Sequence, residues 1–224
     1  MYFALLAEEL DKTTSLTLWI SVGAVIILAL VVVALCFTSK TLSTRTLAMA
    51  GVTLALSFVL SLVKFAPVTY GGSITLASML PIMIFAYFYG FFPALLTGVI
   101  FGLLQFISGP YVLTPLTFIL DYVLAFSSIA VVPLFKKFVK NDVAAFISGI
   151  SAAYILRFVF HFVSGIIYFN LGAIWAELPA ETAVGYSALY NIIYLGPDFA
   201  IVAVAAFALT KTRVIERLQT LVVK

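Results

Sequence analysis

The main pattern along this chain is a series of long apolar runs separated by short breaks. Seven runs can be delimited, at residues 16–37, 46–62, 76–89, 91–106, 116–135, 143–170 and 186–209. A membrane-spanning helix needs about 20 mainly apolar residues, because every backbone N–H and C=O must be satisfied within the helix where there is no water. Strands of a transmembrane barrel are shorter and apolar only at alternate positions. The pattern therefore predicts seven membrane-spanning helices, of which the third and fourth are short.

The breaks between the runs are rich in residues that interrupt helices. They contain Pro67 with Gly71 and Gly72, Gly90 with Pro93, Gly109 and Pro110 with Pro115, Asn141, and the stretch 179–185. None of them is long enough for a separate soluble domain. We expect residues 1–43 to be a tail with one additional transmembrane helix, and residues 44–224 to be a six-helix membrane core with a C-terminal tail.

Composition agrees with an all-α polytopic membrane protein. The 224 residues are 64% hydrophobic and 9% charged, whereas an ordinary soluble domain is roughly 25% charged. Most side chains must therefore contact lipid or other helices. The net charge of +3 carries no indication of a nucleic-acid partner, because the placement of the basic residues matters more than their sum.

The basic residues predict the orientation of the helices. With seven spans, three junctions lie on one side, and their basic residues are Lys40, Arg45, Lys136, Lys137, Lys140, Lys211, Arg213 and Arg217. The other side collects Glu8, Glu9, Asp11, Glu177 and Glu181. Because cytoplasmic loops are enriched in Lys and Arg, we expect the N-terminus outside and the C-terminus in the cytoplasm. The first run lacks a basic leader and a cleavage site, which favours a retained helix.

Four ionisable side chains lie inside apolar runs: Asp121, Arg157, His161 and Asp198. Transfer of an ionisable group into the membrane costs free energy, so such side chains usually face an interaction partner or a cavity. Arg157 and Asp198 fall near the middle of two consecutive helices that run in opposite directions. We interpret them as a structural ion pair rather than as ligand-binding residues.

A second polar set lies in the outer half of the predicted bundle. Asp121 is followed by Tyr122, and the four-residue spacing of His161, Gly165 and Phe169 places these three on one helix face. The last helix presents another face with Tyr186, Tyr190, Asn191 and Tyr194. Each residue alone could be an interfacial or packing residue, but the shared depth of five of them on three helices favours one pocket: Asp121, His161, Phe169, Tyr186 and Asn191. A carboxylate amid aromatic rings and an imidazole suits an organic cation or a polar heteroaromatic ring.

The sequence offers little for catalysis or metal chemistry. It has one His and one Cys, and it contains no HExxH, GxSxG or Walker motif. We therefore expect no enzyme, no metal and no cofactor, and ATP hydrolysis would have to come from another subunit. Gly51 and Ala55 form a small-xxx-small face that permits close contact between helices.

Five segments together resemble the thiamin-specific substrate-binding subunits (S-components) of energy-coupling-factor (ECF) vitamin transporters. They are 71–81 (GGSITLASMLP), 102–105 (GLLQ), 120–126 (LDYVLAF), 157–165 (RFVFHFVSG) and 186–191 (YSALYN). The resemblance covers residues 46–209. It implies a six-helix, high-affinity thiamin binder in a prokaryotic cell membrane, with its site near the extracellular face. It also implies assembly with a coupling transmembrane protein and two cytoplasmic ATPases.

The family's functional positions fall on residues already singled out. The resemblance assigns the acidic–Tyr pair to Asp121 and Tyr122, and the His, Gly and aromatic positions to His161, Gly165 and Phe169. It assigns the Tyr and Asn positions to Tyr186 and Asn191, and it implies that Gly51 and Ala55 dock the coupling subunit. The stretch 65–73 resembles the loop that closes over bound vitamin. Some members carry Glu in place of Asp121 and Trp in place of Phe169.

Three alternatives remain at this point. The chain could be an S-component for a thiamin precursor or another vitamin. It could instead be an ion-coupled secondary carrier, with Arg157, His161 and Asp198 as a proton relay. An intramembrane enzyme is the least favoured interpretation.

Overall fold

The architecture is mainly helical in the part of the chain that the structure describes. This structure is a computed structural model that describes residues 42–68 and 71–212, together with Gly23. The expected first helix at 16–37 and the basic residues Arg213 and Arg217 lie outside this part. The described helices are α1 Thr44–Leu62, α2 Leu80–Tyr89, α3 Phe91–Ser108, α4 Pro115–Lys137, α5 Asp142–Asn170 and α6 Ala183–Lys211. All but α2 are long and apolar enough to cross a membrane, so the predicted all-α polytopic class is confirmed.

The segment after α1, expected as a loop over 65–73, contains a β-hairpin. Strand β1 (Lys64–Pro67) pairs antiparallel with β2 (Ser73–Thr75). The backbone N–H of Val68 donates to the Gly72 carbonyl at 2.8 Å near the turn. The short sheet leaves the fold class unchanged, but it gives this segment defined hydrogen bonds of its own.

The third predicted span, 76–89, is shorter in the structure, because α2 begins only at Leu80. Thr75 is hydrogen-bonded to α6 through both its backbone N–H and its hydroxyl group. Ala77 then adopts a positive φ of 52°, which is unfavourable in a helix of L-residues. At 1.5 Å per residue α2 is only about 15 Å long. It is nevertheless central, since Ile82, Met83 and Ala86 are fully buried.

Helix α4 is irregular where it carries candidate site residues. It continues from a short α-turn into a π-helical segment, Ile119–Leu124, and ends as a 3-10 helix, Ser128–Lys137. Such π segments widen a helix locally and are frequent at functional sites. A Cβ atom at Gly102 of α3 would overlap the Tyr122 carbonyl oxygen. Gly102 therefore allows α3 to approach the backbone that presents Asp121 and Tyr122.

Helices α5 and α6 pack against each other along the other side of the bundle. A side chain at Gly165 would collide with the side chain of Ser187. Ser187 Oγ donates to the Phe162 carbonyl oxygen at 2.6 Å. Gly165 thus lets the two helices come close at the level of the candidate site.

Candidate binding site

A polar cavity lies between the hairpin and helices α3 to α6. Its lining brings together side chains that are far apart in sequence. The charged and amide residues of the lining are Lys64, Gln105, Asp121, Arg157, His161, Asn191 and Asp198, and its tyrosines are Tyr111, Tyr122, Tyr168, Tyr186, Tyr190 and Tyr194. Small residues of the hairpin, including Gly71 and Gly72, complete it. The cavity is therefore polar and aromatic, in contrast to the lipid-facing surface.

Both carboxylate oxygens of Asp121 are hydrogen-bonded to side chains of α5. Its Oδ1 lies 2.7 Å from His161 Nδ1, and its Oδ2 accepts a 2.6 Å hydrogen bond from Ser164 Oγ. These partners follow about 40 residues later in the chain and meet Asp121 only through the packing of α4 on α5. The pairing fixes the carboxylate at the cavity wall.

The hydrogen bonds around His161 define its role. Arg157 Nε donates to His161 Nε2 at 3.4 Å, so Nε2 acts as the acceptor. Nδ1 must then carry the hydrogen that faces Asp121. This assignment follows from the network, as is usual for histidine tautomers. His161 therefore links the carboxylate of Asp121 to the guanidinium of Arg157.

Asn191 lines the cavity and carries an unused acceptor. Its Nδ2 donates to the Ser187 carbonyl oxygen at 2.8 Å, which sets the orientation of the amide. Its Oδ1 is buried and has no hydrogen-bond partner among the described residues. Buried acceptors are rarely left unpaired, so this atom is suited to accept from a ligand N–H group.

Tyrosine rings form much of the cavity wall. Tyr186 stacks on Tyr190 at 6.1 Å between ring centroids, and Tyr190 contacts Tyr194 edge to face at 5.5 Å. Across the site, Tyr111 stacks on Tyr168 at 5.3 Å. Such rings can hold a planar ligand by stacking and attract a cation through their faces.

Several of these residues were missed at the sequence level. Tyr190 and Tyr194 lie on the same face of α6 as Tyr186 and Asn191, but they were not predicted to be ligand-binding residues. Tyr168 lies near the end of α5, and Tyr111 lies in the connection between α3 and α4, where periodicity gives no signal. Pairing with Tyr168 and a hydrogen bond from the Tyr111 N–H to Tyr122 Oη place that connection at the site.

The structure brings most of the sequence candidates together. The lining includes Asp121, Tyr122, His161, Gly165, Tyr186 and Asn191. Phe169 lies behind Tyr186, with its ring centroid 5.4 Å from that of Tyr186, and is not among the described lining residues.

Arg157 and Asp198 line the same cavity, so the division into a midplane set and an outer set is not maintained. Arg157 Nη1 lies 3.7 Å from Asp198 Oδ2. The hydrogen bonds of Asp198 come from elsewhere: Tyr154 Oη donates at 2.7 Å, and the Thr75 N–H and hydroxyl donate at 3.0 and 2.9 Å. Asp198 therefore connects α5, α6 and the hairpin.

The hairpin is hydrogen-bonded to α6 at two positions. Thr75 binds Asp198, and the Gly72 N–H donates to Tyr190 Oη at 3.1 Å. The segment that was expected to cover the ligand is thus anchored to the helix that carries Tyr186 and Asn191. The described residues contain no group of three or more His, Cys, Asp and Glu side chains that could hold a metal ion.

Comparisons with known proteins match most of this chain. A family model described as "Thiamine transporter protein (Thia_YuaJ)" matches residues 47–217, which include every cavity residue named above. Thiamine transporter ThiT of Bacillus subtilis (strain 168) is 31% identical over 159 residues, or 66% of this chain and 80% of that protein. A solved structure of ThiT from Listeria monocytogenes covers 80% of this chain and 97% of that chain, with 23% identity and a TM-score of 0.62. This structural likeness concerns the fold.

Proposed function

Because the chain belongs to the thiamine transporter protein family, we propose that it is a membrane-embedded subunit that binds thiamin for uptake. The observation that carries this proposal is the partly buried Asp121–His161 pair in a cavity walled by tyrosines. Thiamin combines a permanently cationic thiazolium ring with an aminopyrimidine ring. The cavity offers one carboxylate near its aromatic wall and one unused amide acceptor, which complement these two features.

We assign roles to the site residues on this basis. Asp121 supplies the negative charge that offsets the thiazolium, and His161 holds the carboxylate in place. Asn191 Oδ1 accepts from the amino group of the pyrimidine ring. Tyr122 and Tyr186 contribute ring surface, Gly165 keeps α5 against α6, and Phe169 supports Tyr186 from behind.

We also propose that transport by this chain depends on partner proteins, because the sequence has no Walker motif with which to hydrolyse ATP. We propose that the chain assembles with an ECF coupling transmembrane protein and two cytoplasmic ATPases. The face of α1 that contains Gly51 and Ala55 is exposed, and a Cβ at Gly51 would meet no atom within 4 Å. Its small residues permit close approach of a partner helix. We further propose an N-terminus outside the cell and a cytoplasmic C-terminus.

A titration of the purified chain with thiamin tests the binding function. We expect saturable one-to-one binding, measured by calorimetry in detergent. His161→Ala should weaken it by at least about tenfold, because Asp121 loses the partner that positions it. Val204→Ala, at an exposed position of α6, serves as the control and should bind like the wild type.

Two outcomes would contradict the proposal. Failure of the wild-type chain to saturate with thiamin would exclude a high-affinity thiamin subunit. Accumulation of thiamin by the chain alone in vesicles under a proton gradient would identify an ion-coupled carrier that needs no ATPase.

A bulky residue on the small face of α1 tests the docking proposal. Gly51→Leu should reduce co-purification of the coupling subunit, because a branched side chain prevents close contact between helices. Thiamin binding by the isolated chain should stay unchanged, since Gly51 lies outside the cavity lining. Val204→Leu, on the exposed side of α6, controls for added bulk at a lipid-facing position. Equal co-purification of both variants would place the interface elsewhere.

A further inference from the structure

Ser164 is a buried serine of α5 whose hydroxyl group binds a neighbouring helix. The residue is 1% exposed, and its Oγ donates to Asp121 Oδ2 on α4 at 2.6 Å. Serine and threonine hydroxyl groups inside helices often donate instead to a carbonyl oxygen three or four residues earlier. Bonds of that kind are made in this protein by Ser61, Thr97, Ser127 and Ser151. A hydroxyl group has one hydrogen to donate, so that of Ser164 is committed to the carboxylate.

Two residues of α5 hold the two oxygens of the Asp121 carboxylate. His161 Nδ1 lies 2.7 Å from Oδ1, while Ser164 binds Oδ2. The two residues are three positions apart and therefore lie on one face of the helix. Rotation of an aspartate carboxylate about its χ2 torsion is only weakly restricted, so a single hydrogen bond would leave the group free to turn. The two bonds together fix its plane, and each bonded oxygen keeps a lone pair for a ligand.

The segment of α5 that carries both donors is itself held by α6. Ser187 Oγ donates to the carbonyl oxygen of Phe162, which lies between His161 and Ser164 in the chain, at 2.6 Å. Gly165, next to Ser164, leaves room for the side chain of Ser187. The donors to the carboxylate are thus placed by contacts with a third helix. The orientation of the Asp121 carboxylate is therefore set by the packing of α4, α5 and α6 together.

We propose that Ser164 is a positioning residue that makes the site selective for a cationic ring. This inference rests on the proposed thiamin-binding function, in which Asp121 is the counter-charge of the thiazolium. Ser164 is not among the described residues of the cavity lining, so it acts through the carboxylate. Without its hydroxyl group, Asp121 is held through one oxygen only, and its carboxylate turns away from the orientation that meets the cation. A fixed counter-charge favours a charged ligand over a neutral one because no reorientation is needed on binding.

The test compares thiamin with an analogue in which a neutral thiophene ring replaces the thiazolium. Dissociation constants are measured for the wild type, Ser164→Ala, Ser164→Cys and the matched control Ser151→Ala, whose hydroxyl group donates within α5 to the Ile147 carbonyl oxygen at 3.0 Å. We expect the wild type and the control to bind thiamin about tenfold or more tightly than the neutral analogue. In Ser164→Ala most of this preference should be lost, while affinity for the neutral analogue changes little. Ser164→Cys should resemble Ser164→Ala, because a thiol has nearly the same size but is a weak donor.

A double substitution shows whether Ser164 acts through Asp121. In the Asp121→Asn background, Ser164→Ala should change thiamin affinity by less than about twofold, because the charge that it positions is already gone.

A merely structural role of Ser164 would weaken both ligands equally. An equal loss for both, a preference that survives in Ser164→Ala or Ser164→Cys, or the full effect of Ser164→Ala in the Asp121→Asn background would overturn the inference. If Ser164→Ala does not fold, Ser164→Cys fills the same space and gives the same comparison. Saturable thiamin binding by the wild type without preference over the neutral analogue would overturn the inference and leave the proposed function intact. No thiamin binding by the wild type would overturn both.

Discussion

Asp121→Asn is expected to weaken thiamin binding by about 100-fold or more. The substitution keeps the size of the side chain and removes the negative charge that faces the cavity next to His161. Loss of one partner of a desolvated charge pair costs about 2–5 kcal/mol, and 2.7 kcal/mol already corresponds to about 100-fold in affinity. Calorimetric titration of the purified variant measures the effect directly.

The control for Asp121→Asn is Asp121→Glu, which restores the charge on a side chain one methylene longer. It should bind thiamin more tightly than the Asn variant. Thermal unfolding without ligand separates binding from folding, and both variants should unfold near the wild-type temperature. Asp121→Asn binding within a few fold of the wild type would show that this carboxylate is not the counter-charge of the ligand.

Asp198→Ala is expected to lower the stability of the fold by about 3–5 kcal/mol, which is the cost of removing one partner of a buried ion pair. The substitution leaves the Thr75 and Tyr154 donors without their acceptor and leaves Arg157 without a neighbouring negative charge. It also removes one of the two hydrogen-bonded connections between the hairpin and α6, while that of Gly72 to Tyr190 remains. The midpoint of thermal unfolding in detergent should fall strongly, with a smaller effect on the affinity of the protein that remains folded.

The matched control is Glu181→Ala, which removes an exposed carboxylate between α5 and α6 and should leave the midpoint unchanged. Asp198→Asn keeps an acceptor for Thr75 and should be intermediate. Normal expression and normal thermal stability of Asp198→Ala, together with lost thiamin binding, would contradict the structural role and place Asp198 in the ligand contact itself.

Helix positions followed closely from sequence because lipid imposes one requirement on every span. The predicted runs 46–62 and 143–170 correspond to Thr44–Leu62 and Asp142–Asn170. The exception is the run 76–89, where an apolar stretch begins outside the helix. Hydropathy cannot distinguish residues that are buried by protein from residues that face lipid. The hydrogen bonds from Thr75 to Asp198, which hold the start of this run in the hairpin, are contacts across more than 120 residues.

The candidate site, like the helices, could be predicted only in part from the sequence. Helical periodicity placed His161 and Gly165 on one face of α5, and Tyr186 with Tyr190 on one face of α6. It could not show that His161 is paired with Asp121, that Tyr111 reaches the cavity from a connection, or that Phe169 lies behind Tyr186. Each of these depends on how the helices are rotated against one another and how closely they approach.

The sequence by itself therefore determined the membrane-embedded helical class, most helix positions and the kinds of side chain at the site. These are set by the transfer of backbone and side chains into lipid, which acts on each segment separately. Only the tertiary structure decided that Arg157 and Asp198 share a cavity with Asp121, and which acceptors and donors remain unused. Hydrogen-bond satisfaction is a property of pairs of groups in space, so it cannot be read from positions along one chain.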